Sequence, residues 1–241
     1  MSVSDPRPDS TPLGAAHPLD ELGGLQAGAG AVLAVHRGRT VAVSYGSAAG
    51  ELAACINTVG IASRAELTKL ELTAPEPSLD HVLAGLLGVP LRPGGIHLTR
   101  AVGWYRPDDG RLIALCEPEQ GERLRGRLEF WTLRDRAVAL HDRTDDWAAI
   151  AVIGRRTRFL LGELGVYGPG RDPRAVSPVT RTADDPRTSW LLNADDDALA
   201  ITPRASASAL WRRITQTGRP WQICAVGHEA LLRYRMLTRR S

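Results

Sequence analysis

The sequence predicts an α+β fold with mixed, largely antiparallel sheets and flanking helices. Three observations support this class. Short β-prone runs occur in pairs separated by turn residues, segments with helical periodicity lie between the pairs, and hairpins rather than single strands alternate with the helices. This order argues against a parallel doubly wound sheet. The 241 residues, 43% of them hydrophobic, are enough for one such domain.

The first part of the chain divides into a tail, a hairpin and a helix. Residues 1–18 are rich in Pro, Ser and Asp and predict a disordered tail, which leaves 19–241 as the folded domain. Two β-prone runs, 31–35 and 40–44, flank an Arg-Gly-Arg turn and predict a hairpin. Ser47 is then expected to cap a helix of about ten residues, because the apolar side chains that follow recur at helical spacing.

Further strands and helices follow from the same signals as far as the C-terminus. Gly88 is expected to end a helix that Ser78 caps, and Pro107-Asp108-Asp109-Gly110 is a strong turn sequence between two strands. The segment 165–188 is rich in Gly, Pro, Asp and Arg and predicts a long loop. The predicted strands are 69–73, 96–104, 111–116, 128–133, 137–141, 147–153, 189–192, 198–202 and 221–226, and the predicted helices are 78–87, 157–164, 206–218 and 229–237.

The charge pattern does not indicate a nucleic-acid or membrane partner. The net charge is +3, and the densest groups of arginines, in 155–158 and 233–240, have few aromatic neighbours, so solvated helix faces are expected. No apolar run approaches the roughly 20 residues of a membrane helix, and the N-terminus has no signal pattern, so a cytoplasmic protein is expected. Lys69, the single lysine, is expected to be exposed on its strand.

Metal, disulfide and hydrolase sites are not expected. The three cysteines, Cys55, Cys116 and Cys224, are far apart and lie in apolar stretches, which predicts buried side chains. His228 and Glu229 are neighbours in sequence, but neighbours point to different faces, so they do not form a ready dyad. The sequence contains no HExxH or GxSxG pattern.

Several short motifs occur in an order that resembles a known family. Tyr45-Gly46-Ser47 is followed by a helix, by Gly60-Ile61 and by a strand, and Asp109-Gly110 joins two later strands. Asp142-Arg143-Thr144 precedes the apolar strand at 147–153, and the last part combines a hairpin, a Leu-Trp helix and an arginine-bearing terminal helix. Over about residues 20–238, this order resembles the folate-binding domain of the aminomethyltransferases, the T-protein family of glycine cleavage.

The resemblance implies a T-protein-like folate-binding fold that lacks the family's C-terminal barrel, since the chain stops at Ser241. It also implies tetrahydrofolate as a cofactor and no metal. The family's aromatic residue against the pterin corresponds to Trp104 or Tyr105, and its terminal-helix arginine corresponds to Arg233 or Arg235. Each of these residues also has a plain structural interpretation, as a core aromatic or as a surface arginine.

The family's functional positions hold different residues in this chain. The Asp and His of the family's early motif are replaced, the His by Glu66, which we retain as a candidate ligand-binding residue. The family's catalytic aspartate corresponds to about Ala114 or Leu115, which carry no carboxylate. Glu117 is therefore the candidate catalytic substitute, although a surface carboxylate also fits its sequence context. The stretch that follows Glu117 is expected to be too short for the family's further strand and helix.

These observations leave two functions open. The first is a small-molecule enzyme related to folate-dependent aminomethyl or methyl (one-carbon) transferases, diverged or repurposed in specialised metabolism. The second is a non-catalytic pseudoenzyme or accessory subunit similar to the small subunits of sarcosine oxidases. An ordered arginine with a buried carboxylate in a ligand-lined pocket would favour the enzyme, and a large exposed apolar patch would favour the subunit. The expected partners are a small-molecule ligand and, for the subunit, a protein chain or a second copy in a homo-oligomer.

Overall fold

The structure is a computed structural model that describes residues 10–12, 19–99, 101–166, 179–182, 185–192 and 197–238. The helices are α1 (Glu21–Gly28), α2 (Ala48–Asn57), α3 (Glu76–Leu87), α4 (Pro118–Arg134), α5 (Thr157–Glu163), α6 (Ala207–Thr217) and α7 (His228–Thr238). The strands are β1 (Ser10–Pro12), β2 (Val32–His36), β3 (Arg39–Ser44), β4 (Gly60–Ser63), β5 (Thr68–Thr73), β6 (Ile96–Leu98), β7 (Val102–Asp108), β8 (Arg111–Cys116), β9 (Ala139–Asp142), β10 (Trp147–Ile153), β11 (Val179–Thr182), β12 (Asp185–Leu192), β13 (Ala198–Pro203) and β14 (Cys224–Ala225). Among these residues, no helix combines the length and the apolar character that a membrane crossing requires.

The strands form three sheets. The smallest contains β1, β2 and β3 in that order. A six-stranded sheet has the order β11-β12-β13-β10-β4-β14, and a five-stranded sheet has the order β6-β7-β8-β5-β9. In the described part of the chain, every strand pair is antiparallel except β14 with β4. The predicted α+β class is confirmed.

The two larger sheets pack face to face, and helices cover their outer faces. The outer face of the five-stranded sheet packs on α3 and α4, and that of the six-stranded sheet packs on α1, α5 and α6. The inner face of the six-stranded sheet also carries α2 and α7. Residues buried between the two sheets are Leu67, Tyr105, Ile113, Leu115, Ala149, Leu191 and Ile201. The centre of the molecule is therefore the place where both sheets meet α7.

Two connections bring polar residues to this centre. Residues 64–67 form a tight corner that leads from β4 of one sheet to β5 of the other, and the first N–H of the corner donates to Ala149 O at 2.8 Å. In β8, Leu115 faces inward between the sheets, whereas Cys116 faces the helices. Because side chains alternate along extended backbone, Glu117, the residue after β8, points inward again.

Local capping and turn signals account for the first helices. The first predicted hairpin forms as β2 and β3. Ser47 caps α2 as predicted, since its Oγ accepts from the Gly50 N–H at 3.3 Å. Gly88 ends α3 in the left-handed conformation with φ of 68°, which also confirms the prediction. The prediction that Ser78 caps this helix is wrong, because the helix begins directly after Pro75.

The prediction of a strand at 128–133 is wrong, because these residues belong to α4. A short apolar run fits either a strand or a helix, and the pattern that distinguishes the two begins before residue 128. Leu124, Leu128 and Trp131 are buried at helical spacing on one face. The segment 117–141 therefore contains a helix as well as the start of β9, so the expectation that it is too short for a strand and a helix is also wrong.

Other strand boundaries differ for local reasons. The predicted strand 96–104 is divided into β6 and β7 by a turn in which the Thr99 N–H donates to Val102 O at 2.9 Å. The strand predicted at 221–226 is confined to β14, because a short 3₁₀ turn precedes it. On α5, Phe159 is 63% exposed, and the neighbouring leucines make the contact with the core.

Two segments that were predicted to be irregular contain strands. The predicted loop 165–188 includes β11 and the beginning of β12, which pair with each other. Its residues 167–178 and 183–184 lie outside the described part of the chain. The predicted tail at 1–18 includes β1, which pairs with β2, and its other residues also lie outside the described part.

Lys69 is buried, so the expectation of an exposed strand lysine is wrong. β5 lies within the five-stranded sheet between β8 and β9, and the connection from β9 to β10 covers its polar face. The Lys69 Nζ donates to Leu67 O at 2.7 Å and reaches Ala65 O at 3.4 Å and Thr144 O at 3.5 Å. The alternation of polar and apolar residues in β5 thus reflects internal pairing rather than contact with solvent.

Candidate functional site

Four charged side chains form a cluster at the centre, where the corner at 64–67, the start of α4 and α7 meet. Arg64 Nε donates to Glu66 Oε1, and Arg64 Nη2 donates to both carboxylate oxygens of Glu117 at 2.7 and 2.8 Å. Arg235 Nη1 donates to Glu117 Oε1 at 2.9 Å. These contacts make a continuous series from Glu66 through Arg64 and Glu117 to Arg235, which we call the central ion cluster.

The central ion cluster extends from the interior to the surface. The side chains of Arg64 and Glu66 are 1% and 0% exposed, whereas those of Glu117 and Arg235 are 41% and 34% exposed. Buried charges are tolerated when they are paired and hydrogen-bonded, as the inner two are. The inner pair, which is the floor of the cluster, is therefore enclosed, whereas the outer pair is in contact with solvent.

The pairing perturbs the pKa values of the outer residues. Burial alone would raise the pKa of Glu117, but the charge and hydrogen bonds of Arg64, together with Arg235, hold it below the ordinary value of 4.5. Burial and the positive charge of Arg64 lower the pKa of Arg235 to about 10. At neutral pH, Glu117 is therefore an anion and Arg235 a cation.

A histidine pair lies beside the buried end of the cluster. The Nδ1 of His228, at the start of α7, is 3.8 Å from Glu66 Oε1, and its ring centroid is 5.3 Å from that of His36. The Nε2 of His36 is 3.6 Å from Glu119 Oε1. Burial lowers the pKa of His228, so its imidazole is neutral at neutral pH. The carboxylate beside His228 is thus Glu66 and not its sequence neighbour Glu229.

Several buried polar atoms of this region have no hydrogen-bond partner among the described residues. They include Arg64 Nη1, Glu66 Oε2 and the Nδ1 atoms of His36 and His228. Buried polar atoms in native proteins are nearly always satisfied, so such atoms mark places for a water molecule or for a ligand. The floor of the cluster therefore offers an unused cationic donor and an unused anionic acceptor.

Glu51 fixes the position of α7 in the site. Its buried carboxylate accepts from the Tyr45 N–H at 2.6 Å and from the Gly227 N–H at 2.7 Å. At Gly227 an added Cβ would lie 2.2 Å from Val43 O, so the chain passes β3 too closely for a side chain. Because His228 follows directly, this contact determines where its ring lies. The Tyr-Gly-Ser motif thus contributes to the site through backbone placement.

Solved structures of other proteins share this architecture. One is the glycine cleavage system aminomethyltransferase T from Bartonella henselae, with a TM-score of 0.66 and 15% sequence identity over 87% of this chain. The chain has an aminomethyltransferase T-like fold. It spans 59% of the length of the Bartonella protein. No family model and no curated protein matches the sequence.

The T-like fold also matches a chain of the heterotetrameric sarcosine oxidase from Corynebacterium sp. U-96. That similarity has a TM-score of 0.57 and 15% identity, and it covers 74% of this chain and 94% of that chain. At this level of identity the comparisons establish the fold. The predicted resemblance of fold is confirmed, and the roles of individual residues remain predictions.

In the T-like fold, Arg235 rather than Arg233 is the terminal-helix arginine that reaches the centre. Arg233 Nη2 donates to Glu229 Oε1 at 2.6 Å on the outer side of α7, and its side chain is about half exposed. Residues two positions apart lie on nearly opposite sides of a helix, so only one of the two can face the cluster. Arg235 therefore contacts the central ion cluster, and Arg233 contacts Glu229 instead.

Trp104 and Tyr105 lie on opposite faces of β7, as strand neighbours must. Trp104 packs against the helices that cover the five-stranded sheet, and Tyr105 lies between the two sheets. Tyr105 therefore shares the inner face with the central ion cluster, whereas Trp104 does not. Ala114 and Leu115, the positions predicted to correspond to the family's aspartate, are apolar core residues, and Glu117 is the next residue that points inward.

Arg64 and His228 are the members of the site that sequence reasoning missed. Arg64 is separated from Glu117 by 53 positions, and no local periodicity links them. One available signal is the Arg64-Ala65-Glu66 sequence between two strands that are mostly apolar. Opposite charges two positions apart in so short a connection indicate a buried pair, because the strands on both sides have to enter the core.

Two cavities lie away from the cluster. One, of about 370 Å³, lies between α3 and residues 88–93 and includes Asp80 and Arg106 in its wall. The other, of about 500 Å³, lies between α3 and α4 beside Arg123 and Phe130. Both are on the helical side of the five-stranded sheet. Within the described ranges, no group of three or more His, Cys, Asp or Glu residues is placed to hold a metal ion.

Proposed function

We propose that this chain is a small-molecule enzyme related to the folate-dependent aminomethyl and methyl (one-carbon) transferases, diverged or repurposed in specialised metabolism. The observation that carries the proposal is the combination of two ordered arginines, Arg64 and Arg235, with the fully buried carboxylate of Glu66 at the centre of a T-like fold. Charged groups held beside unsatisfied polar atoms are more typical of ligand sites than of structural cores.

The polar groups at the centre fit the chemistry of tetrahydrofolate. Arg235 would pair with a carboxylate of its glutamate, and Glu66 Oε2 would accept the amide N–H beside that carboxylate. Tyr105 provides an aromatic side chain on the inner face, and Trp104 supports the same strand from the helical side. When bound, tetrahydrofolate supplies the nitrogen atoms that carry a one-carbon unit.

Proton transfer in such a reaction is better suited to His228 than to Glu117. The lowered pKa of Glu117 makes it a stable anion and a weak general acid. His228 is neutral at physiological pH, and Glu66 lies 3.8 Å from its Nδ1, where closure around a ligand could form a hydrogen bond. In this assignment Glu66 orients the imidazole, and Glu117 takes no part in proton transfer.

Anaerobic calorimetric titration with tetrahydrofolate and 5-methyltetrahydrofolate tests the proposal. We expect micromolar binding by the wild type and binding weaker by about tenfold or more in Arg235→Gln, because a charge-assisted hydrogen bond is lost. Arg233→Gln is the matched control, since the same change is made on the outer side of the same helix, and its affinity should stay within about twofold of the wild type. Absence of binding at millimolar folate would exclude the folate proposal.

A second candidate function is a non-catalytic pseudoenzyme or accessory subunit. It is supported by the match to 94% of one chain of a heterotetrameric sarcosine oxidase, and by the apolar residues Ala114 and Leu115 where the family's aspartate is expected. Its partner would be another protein chain or a second copy. Light scattering on protein isolated from its own cells separates the two functions. A stable assembly that does not bind folate supports the subunit, and a monomer that binds folate supports the enzyme.

A further inference from the structure

Glu117 differs from the other members of the central ion cluster in how it is held. It lies between the end of β8 and Pro118, with an extended backbone at φ of −63° and ψ of 149°, and its side chain makes no capping hydrogen bond to α4. The hydrogen bonds of its carboxylate go to Arg64 and Arg235. With 41% of the side chain exposed, rotation about its own bonds carries the carboxylate into solvent.

The contacts of this carboxylate are those that arginines commonly make with a bound acid. Both of its oxygens accept from Arg64 Nη2, and one of them also accepts from Arg235 Nη1. Behind it, Arg64 Nη1 and Glu66 Oε2 are buried and have no hydrogen-bond partner among the described residues. The cluster therefore combines an occupied carboxylate position with an adjacent buried donor and acceptor whose hydrogen bonds the described side chains do not satisfy.

Charge balance restricts what can replace Glu117. Two arginines face two glutamates, so the cluster is neutral, and the nearby His228 is neutral as well. If Glu117 moved away alone, the buried cation of Arg64 would lose half of its compensation, which is strongly unfavourable in the interior. A replacing group must therefore bring one negative charge. A donor that reaches Glu66 Oε2 must be an uncharged N–H or O–H if neutrality is to be kept.

We infer that Glu117 is an internal stand-in for the carboxylate of the natural ligand, which displaces it from Arg64 and Arg235. The ligand is a carboxylic acid with a neutral N–H or O–H donor close to its carboxylate, and the donor binds Glu66 Oε2. Glu117 then turns toward solvent and closes the site again when the ligand leaves. This inference rests on the proposed ligand site at the centre, and it adds the ligand class and the way in which the site opens.

Thermal unfolding of the full chain in sodium acetate, compared with sodium chloride at equal ionic strength, tests the carboxylate position. Glu117→Ala should lower the melting temperature by roughly 5–10 °C, because the buried Arg64 loses one of its two carboxylate partners. Acetate should restore most of this loss in a saturable manner, and chloride should not. Glu122→Ala is the matched control, since Glu122 is an exposed carboxylate on α4, the helix that follows Glu117, and the melting temperature of this variant should respond equally to both salts.

Displacement in the natural site is tested with N-acetylglycine, which carries a carboxylate and an adjacent amide N–H. Its affinity, measured by calorimetry, should be at least about tenfold higher for Glu117→Gln than for the wild type, because the internal competitor is removed. Glu117→Gln keeps the size of the side chain, so it replaces Glu117→Ala in the acetate experiment if that variant does not fold. Methoxyacetate, which lacks the donor, should bind more weakly than N-acetylglycine to the same variant.

The outcomes separate this inference from the proposed function. Equal effects of acetate and chloride on Glu117→Ala, or equal affinities of the wild type and Glu117→Gln for N-acetylglycine, would overturn the inference. An acetate effect that disappears when Arg235→Gln is added supports it. If tetrahydrofolate does not bind but the acetate effect is present, the folate function fails and the carboxylate site stands.

Discussion

The buried ammonium group of Lys69 predicts a specific pH dependence of stability. Burial, together with nearby arginines, lowers its pKa from 10.5 to about 8, against the opposing influence of Glu66. The folded state therefore releases this proton at a lower pH than the unfolded state does. Below about pH 8 both states are protonated, and the folded state carries the full cost of the buried charge.

Between about pH 8 and 10.5 the unfolded state binds more protons, so this residue makes stability rise with pH across that window. The separation of about 2.5 pKa units corresponds to about 3 kcal/mol. The cysteines act in the opposite direction, because burial raises the pKa of Cys55 to about 12 and that of Cys116 to about 11. A comparison of the wild type with Lys69→Met isolates the lysine, since the thiols are common to both proteins.

Urea unfolding followed by circular dichroism, at several pH values from 7 to 10.5, provides the measurement. The stability of Lys69→Met relative to the wild type should fall by about 3 kcal/mol over this range, because only the wild type gains from deprotonation. Thr144→Val is the control. This variant lacks the hydroxyl that accepts from the backbone N–H of Lys69 at 3.0 Å, but no charge changes. Its difference in unfolding free energy from the wild type should therefore stay constant with pH. Parallel profiles for the wild type and Lys69→Met would refute the reasoning.

Two further predictions concern the placement and the charge of the central site. Gly227→Ala should destabilise the protein by more than about 2 kcal/mol, because the new Cβ would lie 2.2 Å from Val43 O. The control is Gly162→Ala on α5, where nothing lies within 4 Å of the new Cβ, and this variant should be more stable than the wild type by about 0.5–1 kcal/mol. Thermal unfolding measures both differences. The lowered pKa of Glu117 means that its carboxylate stabilises the fold above pH 4.5 and that this contribution is lost as the pH falls through the folded-state pKa. The stability gap between the wild type and Glu117→Gln should therefore narrow in acid, and a gap that does not change with pH would contradict the ion pair with Arg64.

The sequence was sufficient for elements whose signals are local. Gly38 and the Asp109-Gly110 turn lie where β2–β3 and β7–β8 reverse direction, and Ser47 and Gly88 lie at helix ends. These residues act on their own backbone, so one short window contains the whole cause. The prediction of a strand at 128–133 is wrong because the buried face of α4 begins before this segment, so its helical spacing is not visible within these six residues.

The candidate site depended on contacts that no local window contains. Glu66, Glu117 and Arg235 were identified through the family resemblance, and the structure brings them together although 118 positions separate the last two. Arg64, which joins them, has no partner that its neighbouring sequence could reveal beyond Glu66. Lys69 shows the same limit, because whether a polar strand residue is exposed depends on which distant segment covers it.

The location of Glu117 has a mechanical consequence. Its backbone belongs to the half of the molecule that contains the five-stranded sheet, whereas Arg235 belongs to a helix that packs on the other sheet. The ion pair between them therefore links the two halves, and a ligand that took over its contacts would link them instead. A small acid differs in length from a glutamate side chain. The relative motion of the two halves would therefore depend on the size of the ligand. The rate of amide hydrogen exchange at residues 64–67, the corner that joins the two sheets, would show this dependence, even with ligands that cause no visible change of shape.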